Sequence, residues 1–307
     1  MFMIMKSNES LTDYIAGRLK NSGSSVETQK KFREYLVKNE MSPGTVEEYS
    51  RNVTLFYKWV SSTNEKSCIL NKRELEKKAL EYKKALQDDN LAATTINAKL
   101  AALNKYMDFK GMKFKVKYLR VQNKVFKDTN KELEKKEYEQ LIETARTSGK
   151  ERMVLVLETL GSTGIRVSEL KYITVEALKE QAIEISMKGK IRTIVITEKM
   201  KEKLRKYVSR KNIQSGEIFI TSSGKSLSRN QIWKEMKDLS IKAQIASTKV
   251  FPHNIRALFA RLYYEESKDV VRLGDILGHS SINTTRIYLK VSINEYQKQM
   301  ERMNFVV

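Results

Sequence analysis

The chain has 307 residues, 40% of them hydrophobic and 31% charged, and a formal net charge of +21. That length carries two domains with cores of their own, and that balance of residues excludes a disordered chain. One cysteine and two histidines exclude an internal disulfide and leave too few ligands for a zinc site. No apolar run approaches the roughly 20 residues of a membrane helix. The opening MFMIMKSNES has neither a basic n-region nor a cleavage signal, so no secretory peptide and no membrane partner are expected, and the reducing cytoplasm is the expected compartment. The excess of Lys and Arg is spread over both halves of the chain. Such a field attracts a polyanion, nucleic acid first, although a merely soluble basic surface accounts for the charge equally well.

In chain order, residues 1–24 form an N-terminal extension with a short helix at 8–20, broken by NSGSS. Residues 25–112 read as a helical bundle with helices at 26–39, 42–60, 71–87 and 92–110. The second of these opens on Ser42 as cap and Pro43 as first helical residue, with Glu47 and Glu48 in an acidic first turn. Residues 113–128 are basic, aperiodic and expected to be a linker. From 129 to 307 helices resume at 134–147 and 150–160. AIEISMKGKIRTIVI, 182–196, alternates on both sides of Lys188 and Gly189 and predicts a hairpin. A helix at 198–210, a short strand at 217–221 and helices at 228–244, 253–266, 268–277, 283–290 and 292–303 follow. The fold class is mostly α with a small antiparallel β-sheet.

Three stretches carry chemistry. GSTGIRVSEL, 161–170, puts Arg166 in the first turn of a helix, against the usual dipole preference unless an anion binds there. A surface arginine paired with Glu169 explains the same residues. FPHNIRALFARLYYEE, 251–266, places His253 and Arg256 on one helical face, a costly pairing unless an anion lies between them. A capping histidine beside a solvated arginine is the plainer reading. LGHSSINTTRIYLK, 277–290, ends one helix at Gly278, sets His279 just beyond it, and starts a second helix that carries Tyr288. Tyr288 is also one of fourteen tyrosines.

Taken in order, TGIRVSEL, a hairpin with KGK, HNIR, LGHS and TTRIYLK resemble the tyrosine recombinase (phage integrase) family over about residues 130–300. SPGTVEEYSRNVTLFYKWV resembles that family's core-binding domain more weakly. The resemblance implies a SAM-like helical core-binding domain at 25–112 and a mixed α/β catalytic domain of the DNA breaking-rejoining type at 129–307. With no arm-binding domain expected ahead of residue 25, the chain resembles compact Xer-like or mobile-element recombinases.

The implied activity is site-specific cutting and rejoining of double-stranded DNA. Tyr288 would attack the scissile phosphodiester and form a 3′-phosphotyrosyl link. Arg166 and Arg256 would clamp the phosphate, His279 would donate to it, and His253 would act as base toward the phenol, an acid that titrates near 10 when unperturbed. Lys188 would protonate the leaving 5′-hydroxyl, with Lys190 as its competitor. No cofactor and no metal are implied.

The family's two domains close on DNA as a clamp, so both halves need a basic face. The candidate DNA contacts are Thr45, Arg51 and Lys99 in the first domain and Lys190, Arg192 and Arg229 in the second. Ile293, Tyr296, Met300 and Met303 form one stripe on the final helix; the resemblance implies that this helix docks on a neighbouring protomer in a homo-tetramer on two DNA sites, and packing on its own domain is the competing reading. A type IB topoisomerase-like or relaxase-like enzyme and a catalytically silent DNA-binding relative remain the alternatives.

Overall fold

The computed structural model describes residues 26–63, 70–121, 129–187, 190–290 and 293–303. The extension 1–24 with its helix at 8–20, residues 122–128, Lys188 and Gly189 lie outside the described residues. The chain divides into two compact units, Met1–Asn123 and Lys124–Val307.

In the first unit four helices are described: α1 (Val26–Lys38), α2 (Pro43–Thr63), α3 (Lys72–Asp88) and α4 (Ala93–Phe109). Pro43 opens α2, where its missing N–H removes no helical bond, and Ser42 Oγ accepts from the Thr45 amide at 3.3 Å. Glu47 and Glu48 fall past the first turn of α2, which holds no acidic residue, so the expected acidic start is absent. Asn71 and Glu74 cap α3 reciprocally. The core is aromatic at its centre: the Phe32 ring meets the Tyr106 ring edge-on at 5.1 Å, and the Tyr57 and Tyr106 hydroxyls lie 3.0 Å apart in the interior. Leu36, Phe56, Val60, Leu100 and Leu103 fill the rest, each burial contributing about 1.5–3 kcal/mol.

The first half of the expected linker is not free chain. Asn104 Nδ2 donates to Val116 O at 3.0 Å, and the Val116 amide donates to Asn104 Oδ1 at 2.8 Å. Asn97 holds Leu119 in the same two-bonded way, at 2.9 and 2.8 Å. Seven residues apart, the two asparagines share one face of α4 and act as a strand edge for the extended segment. Met112 and Val116 are buried beneath it. Aperiodic sequence there marks an extended strap on the first unit.

The second unit holds α5 (Lys135–Thr147), α6 (Glu151–Thr163), 3₁₀ turns at Val167–Tyr172 and Glu176–Lys179, strands β1 (Ile183–Met187) and β2 (Lys190–Ile194), α7 (Glu198–Arg210), α8 (Arg229–Lys242), α9 (Pro252–Ser267), α10 (Val270–Leu277), α11 (Ile282–Arg286) with a 3₁₀ turn at Ile287–Leu289, and α12 (Ile293–Arg302). The strands are antiparallel, with Met187 opposite Lys190 and Ile185 opposite Arg192. The expected strand at 217–221 is reduced to isolated bridges from Glu217 to Thr174 and from Ile220 to Ser226. The chain turns back through Gly224 at φ 75° and each end finds a different partner, so no ladder forms.

Helix α6 is buried along most of its length and packs on α5 and α9. Asn254 Nδ2 pins the start of α9 by donating to Lys131 O at 2.7 Å and Lys249 O at 2.8 Å. Arg261 Nη2 holds its middle by donating to Leu133 O at 2.7 Å. The architecture is mostly helical with one small antiparallel sheet, as expected. Among the described residues no helix is long and apolar enough to cross a membrane.

Candidate active site

Four segments of the second unit converge: the turn after α6, strand β2, the start of α9, and the α10–α11 corner. Gly164 ends α6 at φ 61°, and the Phe259 ring occupies the space a Cβ would need. Only glycine satisfies both demands. The chain leaves this turn with Arg166 as cap of the 3₁₀ turn. Its amide donates to Glu169 Oε2 at 2.7 Å and its Nη1 to Glu169 Oε1 at 3.0 Å. The Arg166 side chain is still 41% exposed, so it keeps donors for a ligand while paired. Pairing with Glu169 and service to an anion are compatible here.

Glu169 is 1% exposed and also accepts from Arg192 Nη1. Arg192 donates from Nε and Nη2 to Ile276 O, at 3.1 and 2.7 Å. This corrects the expectation that Arg192 contacts DNA. Arg192 shares the inward face of the hairpin with Ile185 and Ile194, is itself buried, and joins β2 to the end of α10. Exposed Ile191 and Val195 take the outward face. A charged residue in an alternating strand reads as solvent-facing; a buried carboxylate inverted that here. Breaking such a pair costs about 3–5 kcal/mol.

Arg256 is 3% exposed. It donates from Nη1 to Gly164 O and from Nη2 to Leu277 O, the latter at 2.6 Å, and its Nη2 lies 3.0 Å from His279 Nε2. It thereby fastens the ends of α6 and α10 together. Gly278 ends α10 at φ 63°, with the Arg192 side chain packed where a Cβ would stand. His279 follows at once, and its Nδ1 lies 2.9 Å from the buried Thr285 Oγ1 on α11. Past α11 the chain carries Tyr288. Its ring stacks on His279 at 5.8 Å and 18° and meets His253 at 5.4 Å, and its phenol lies near enough to Arg256 to raise that guanidinium's pKa. Arg166, His253, Arg256, His279 and Tyr288 are thus brought together.

The electrostatics are lopsided. Burial, with Arg256 and Arg166 next, pushes His279 down to about 4 and His253 below its usual range. Burial and the Arg166 charge hold Arg256 down at about 10, partly offset by the nearby Tyr288 phenol. Among the described residues three guanidiniums and two imidazoles meet one carboxylate, already shared by Arg166 and Arg192. The centre suits an anion with several acceptor oxygens.

Elsewhere, Thr45 Oγ1 is engaged with Ser42 Oγ at 2.8 Å. Arg51 is exposed, and Lys99 lies close enough for the Arg51 charge to add to burial in lowering its pKa. Arg229 is exposed at the first turn of α8. Lys188 lies outside the described residues, and Lys190 opens β2. Sequence reasoning missed the shared role of Glu169 and missed Thr285. The first was signalled by an acid three residues after Arg166; the second by the second threonine of TTRIY.

The family model described as phage integrase family matches residues 131–295, and that described as phage integrase, N-terminal SAM-like domain, matches residues 30–112. The chain belongs to the phage integrase family. Among integrase-family relatives, the tyrosine recombinase XerA of Pyrococcus furiosus is 30% identical over 236 residues, 74% of this chain and 80% of that one. XerA of Thermococcus kodakarensis is 25% identical over 287 residues, 91% of this chain and 96% of that one. By this kinship the integrase-family chain is a site-specific recombinase. Its fold is also that of the XerH recombinase in a post-cleavage complex with palindromic difH substrate (TM-score 0.64, 17% identity, 94% of this chain and 92% of that one). The Tn1549 transposon integrase with circular intermediate DNA is similar as well (TM-score 0.65, 14% identity, 89% and 98%).

Proposed function

We propose that this recombinase cuts and rejoins double-stranded DNA through a 3′-phosphotyrosyl link on Tyr288. The observation that carries the reading is the Tyr288 ring set between His253 and His279, with Arg256 beside it. The phenol oxygen attacks phosphorus and the 5′-oxygen leaves. His253, kept neutral by burial and the two arginines, takes the phenol proton. Lys188 supplies a proton to the 5′-oxygen, with Lys190 as the alternative donor. Arg166 and Arg256 hold the non-bridging oxygens, which gain charge in the transition state, and His279 adds a further donor. The phosphodiester bond energy is retained in the link, so rejoining needs no nucleotide. Side chains supply the positive charge, and the chemistry calls for no metal.

Residues 25–112 serve as the core-binding domain, 113–128 join it to the catalytic domain at 129–307, and 1–24 precede both. Arg51 and Lys99 offer phosphate contacts in the first unit, with Thr45 at the start of α2; Arg229 and Lys190 do so in the second. A homo-tetramer on two DNA sites is the working assembly. It is supported by α12, where Tyr296 and Met300 of the apolar stripe are exposed, as is Met303 just past its end. The enzyme works where its DNA is, in the cytoplasm.

The test is a nicked suicide substrate that traps the covalent adduct. The intact protein is expected to form the adduct on its own site, and Tyr288→Phe to form none. An adduct with Tyr288→Phe removes Tyr288 as nucleophile.

A further inference from the structure

We propose that Thr285 is a positioning residue: its hydroxyl accepts the proton that Arg256 directs onto Nδ1 of His279, and so ties the orientation of that imidazole to the seating of the segment that bears Tyr288. The consequence for DNA cleavage rests on the recombinase reading above; the geometry stands without it.

A guanidinium has five N–H donors and no lone pair. Arg256 Nη2 lies 3.0 Å from His279 Nε2, so Nε2 accepts. A neutral imidazole that accepts at Nε2 carries its proton on Nδ1. That nitrogen lies 2.9 Å from Thr285 Oγ1, so Nδ1–H donates to the threonine. The opposite tautomer would aim an N–H at an N–H across the Arg256 contact. Among the described residues the charges that act on His279 are Arg256, Arg166, Arg192 and His253, and the Tyr288 phenol stacks on its ring. No carboxylate competes for Nδ1–H, and the acceptor that serves it is the threonine.

The hydroxyl is fully buried, so water cannot replace it. It packs against Gly274, where a Cβ would approach Oγ1 to 3.2 Å, and the Gly274 carbonyl accepts the His279 amide at 3.0 Å. Gly274 thus leaves room for the threonine while holding the histidine backbone. Thr285 lies on α11, three residues ahead of Tyr288, and the 3₁₀ turn of Tyr288 continues that helix. The hydroxyl therefore reaches His279 only with α11 seated on α10. When a phosphodiester arrives and draws the Arg256 N–H off the imidazole, Nε2 can take a proton from solvent and donate it to the phosphate, while Nδ1–H stays on Thr285. One acceptor serves both protonation states.

With only two histidines in the chain, the imidazole nitrogens can be observed directly. DNA-free protein labelled with ¹⁵N-histidine is measured at pH 7.5 by long-range ¹H–¹⁵N correlation, with His253→Gln to assign the pair. His279 is expected to show a protonated Nδ1 and a lone pair on Nε2. Thr285→Ser should keep that pattern, and Thr285→Val, which leaves the Nδ1–H without its acceptor, should move the Nδ1 shift and populate the other tautomer. On the nicked substrate, single-turnover adduct formation should slow roughly 10–100-fold in Thr285→Val, the usual loss when an orienting partner of an imidazole is removed, and stay near wild type in Thr285→Ser. Wild-type His279 protonated on Nε2 overturns the proposal whatever the variants do. So does Thr285→Val with an unchanged spectrum or an unchanged rate. A protein with the expected spectrum that never forms an adduct overturns the recombination reading and supports the assignment of Thr285.

Discussion

The two sides of the Tyr288 ring are built differently. On one side His279 is held through both ring nitrogens, by Arg256 and by Thr285, and Arg256 is itself bound to the carbonyls of Gly164 and Leu277. On the other side His253 keeps an exposed edge and makes no hydrogen bond among the described residues, and Arg166 is 41% exposed despite its contact with Glu169. The first side is a wall that belongs to the fold. The second is an opening that faces whatever binds. A group that holds a phosphate profits from being fixed in advance, because no reorganisation is then left for the reaction. A group that accepts a proton needs a free nitrogen. The difference between the two sides matches that division of work.

The contrast predicts where a substitution is felt. Arg256→Ala should have the largest effect, because it damages both fold and chemistry. It leaves two interior carbonyls without their donor, at about 1–3 kcal/mol each, and it removes a transition-state donor whose loss costs about 10²–10³ in rate. Denaturant unfolding and single-turnover adduct formation should both register it. Arg166→Ala comes next. Its rate loss should be of similar order, but stability should change by about 1 kcal/mol or less, since the ion pair is partly exposed and Glu169 keeps Arg192. If Arg166→Ala destabilises the protein as much as Arg256→Ala, the two sides are not different in kind.

The same contrast explains how much the sequence disclosed. The groups around Tyr288 were legible because each sits beside a local signal that chain geometry demands: Gly164 ahead of Arg166, Pro252 ahead of His253, Gly278 ahead of His279. Helix positions followed from apolar spacing within a few residues. What stayed hidden were side chains whose partners are remote in sequence. Arg192 alternates with isoleucines and reads as surface until Glu169, 23 residues earlier, is seen to be buried against it. Thr285 reads as helix-start polarity until His279 turns toward it. Asn97 and Asn104 read as surface polarity on α4, yet they hold Val116 and Leu119 in place, which made aperiodic basic chain look like a linker. Period and capping report what a residue does for its own element; pairing across elements leaves little trace in them.

The smallest expected effect is on pH dependence, and it probes the lopsided charge itself. His279 is held at about 4 and His253 below its usual value, by burial first and then by Arg256 and Arg166. In the unfolded chain both titrate near 6.5. Below that pH the unfolded chain binds more protons than the folded one, so stability rises with pH across this interval. The contribution is fully present above about 6.5 and is lost as pH falls toward about 4. Most carboxylates titrate at the lower end, so unfolding curves between about pH 5 and 6.5 report chiefly on the histidines. His279→Gln should flatten that slope, and His253→Gln should flatten it less. Inorganic sulfate, seated against Arg166 and Arg256, would offset the charge that holds both imidazoles neutral and let them accept protons. It should therefore stabilise the protein more at pH 5.5 than at pH 7.5. Equal stabilisation at the two pH values would mean that the anion binds away from the histidines, and that the surplus of positive charge around Tyr288 is not what receives it.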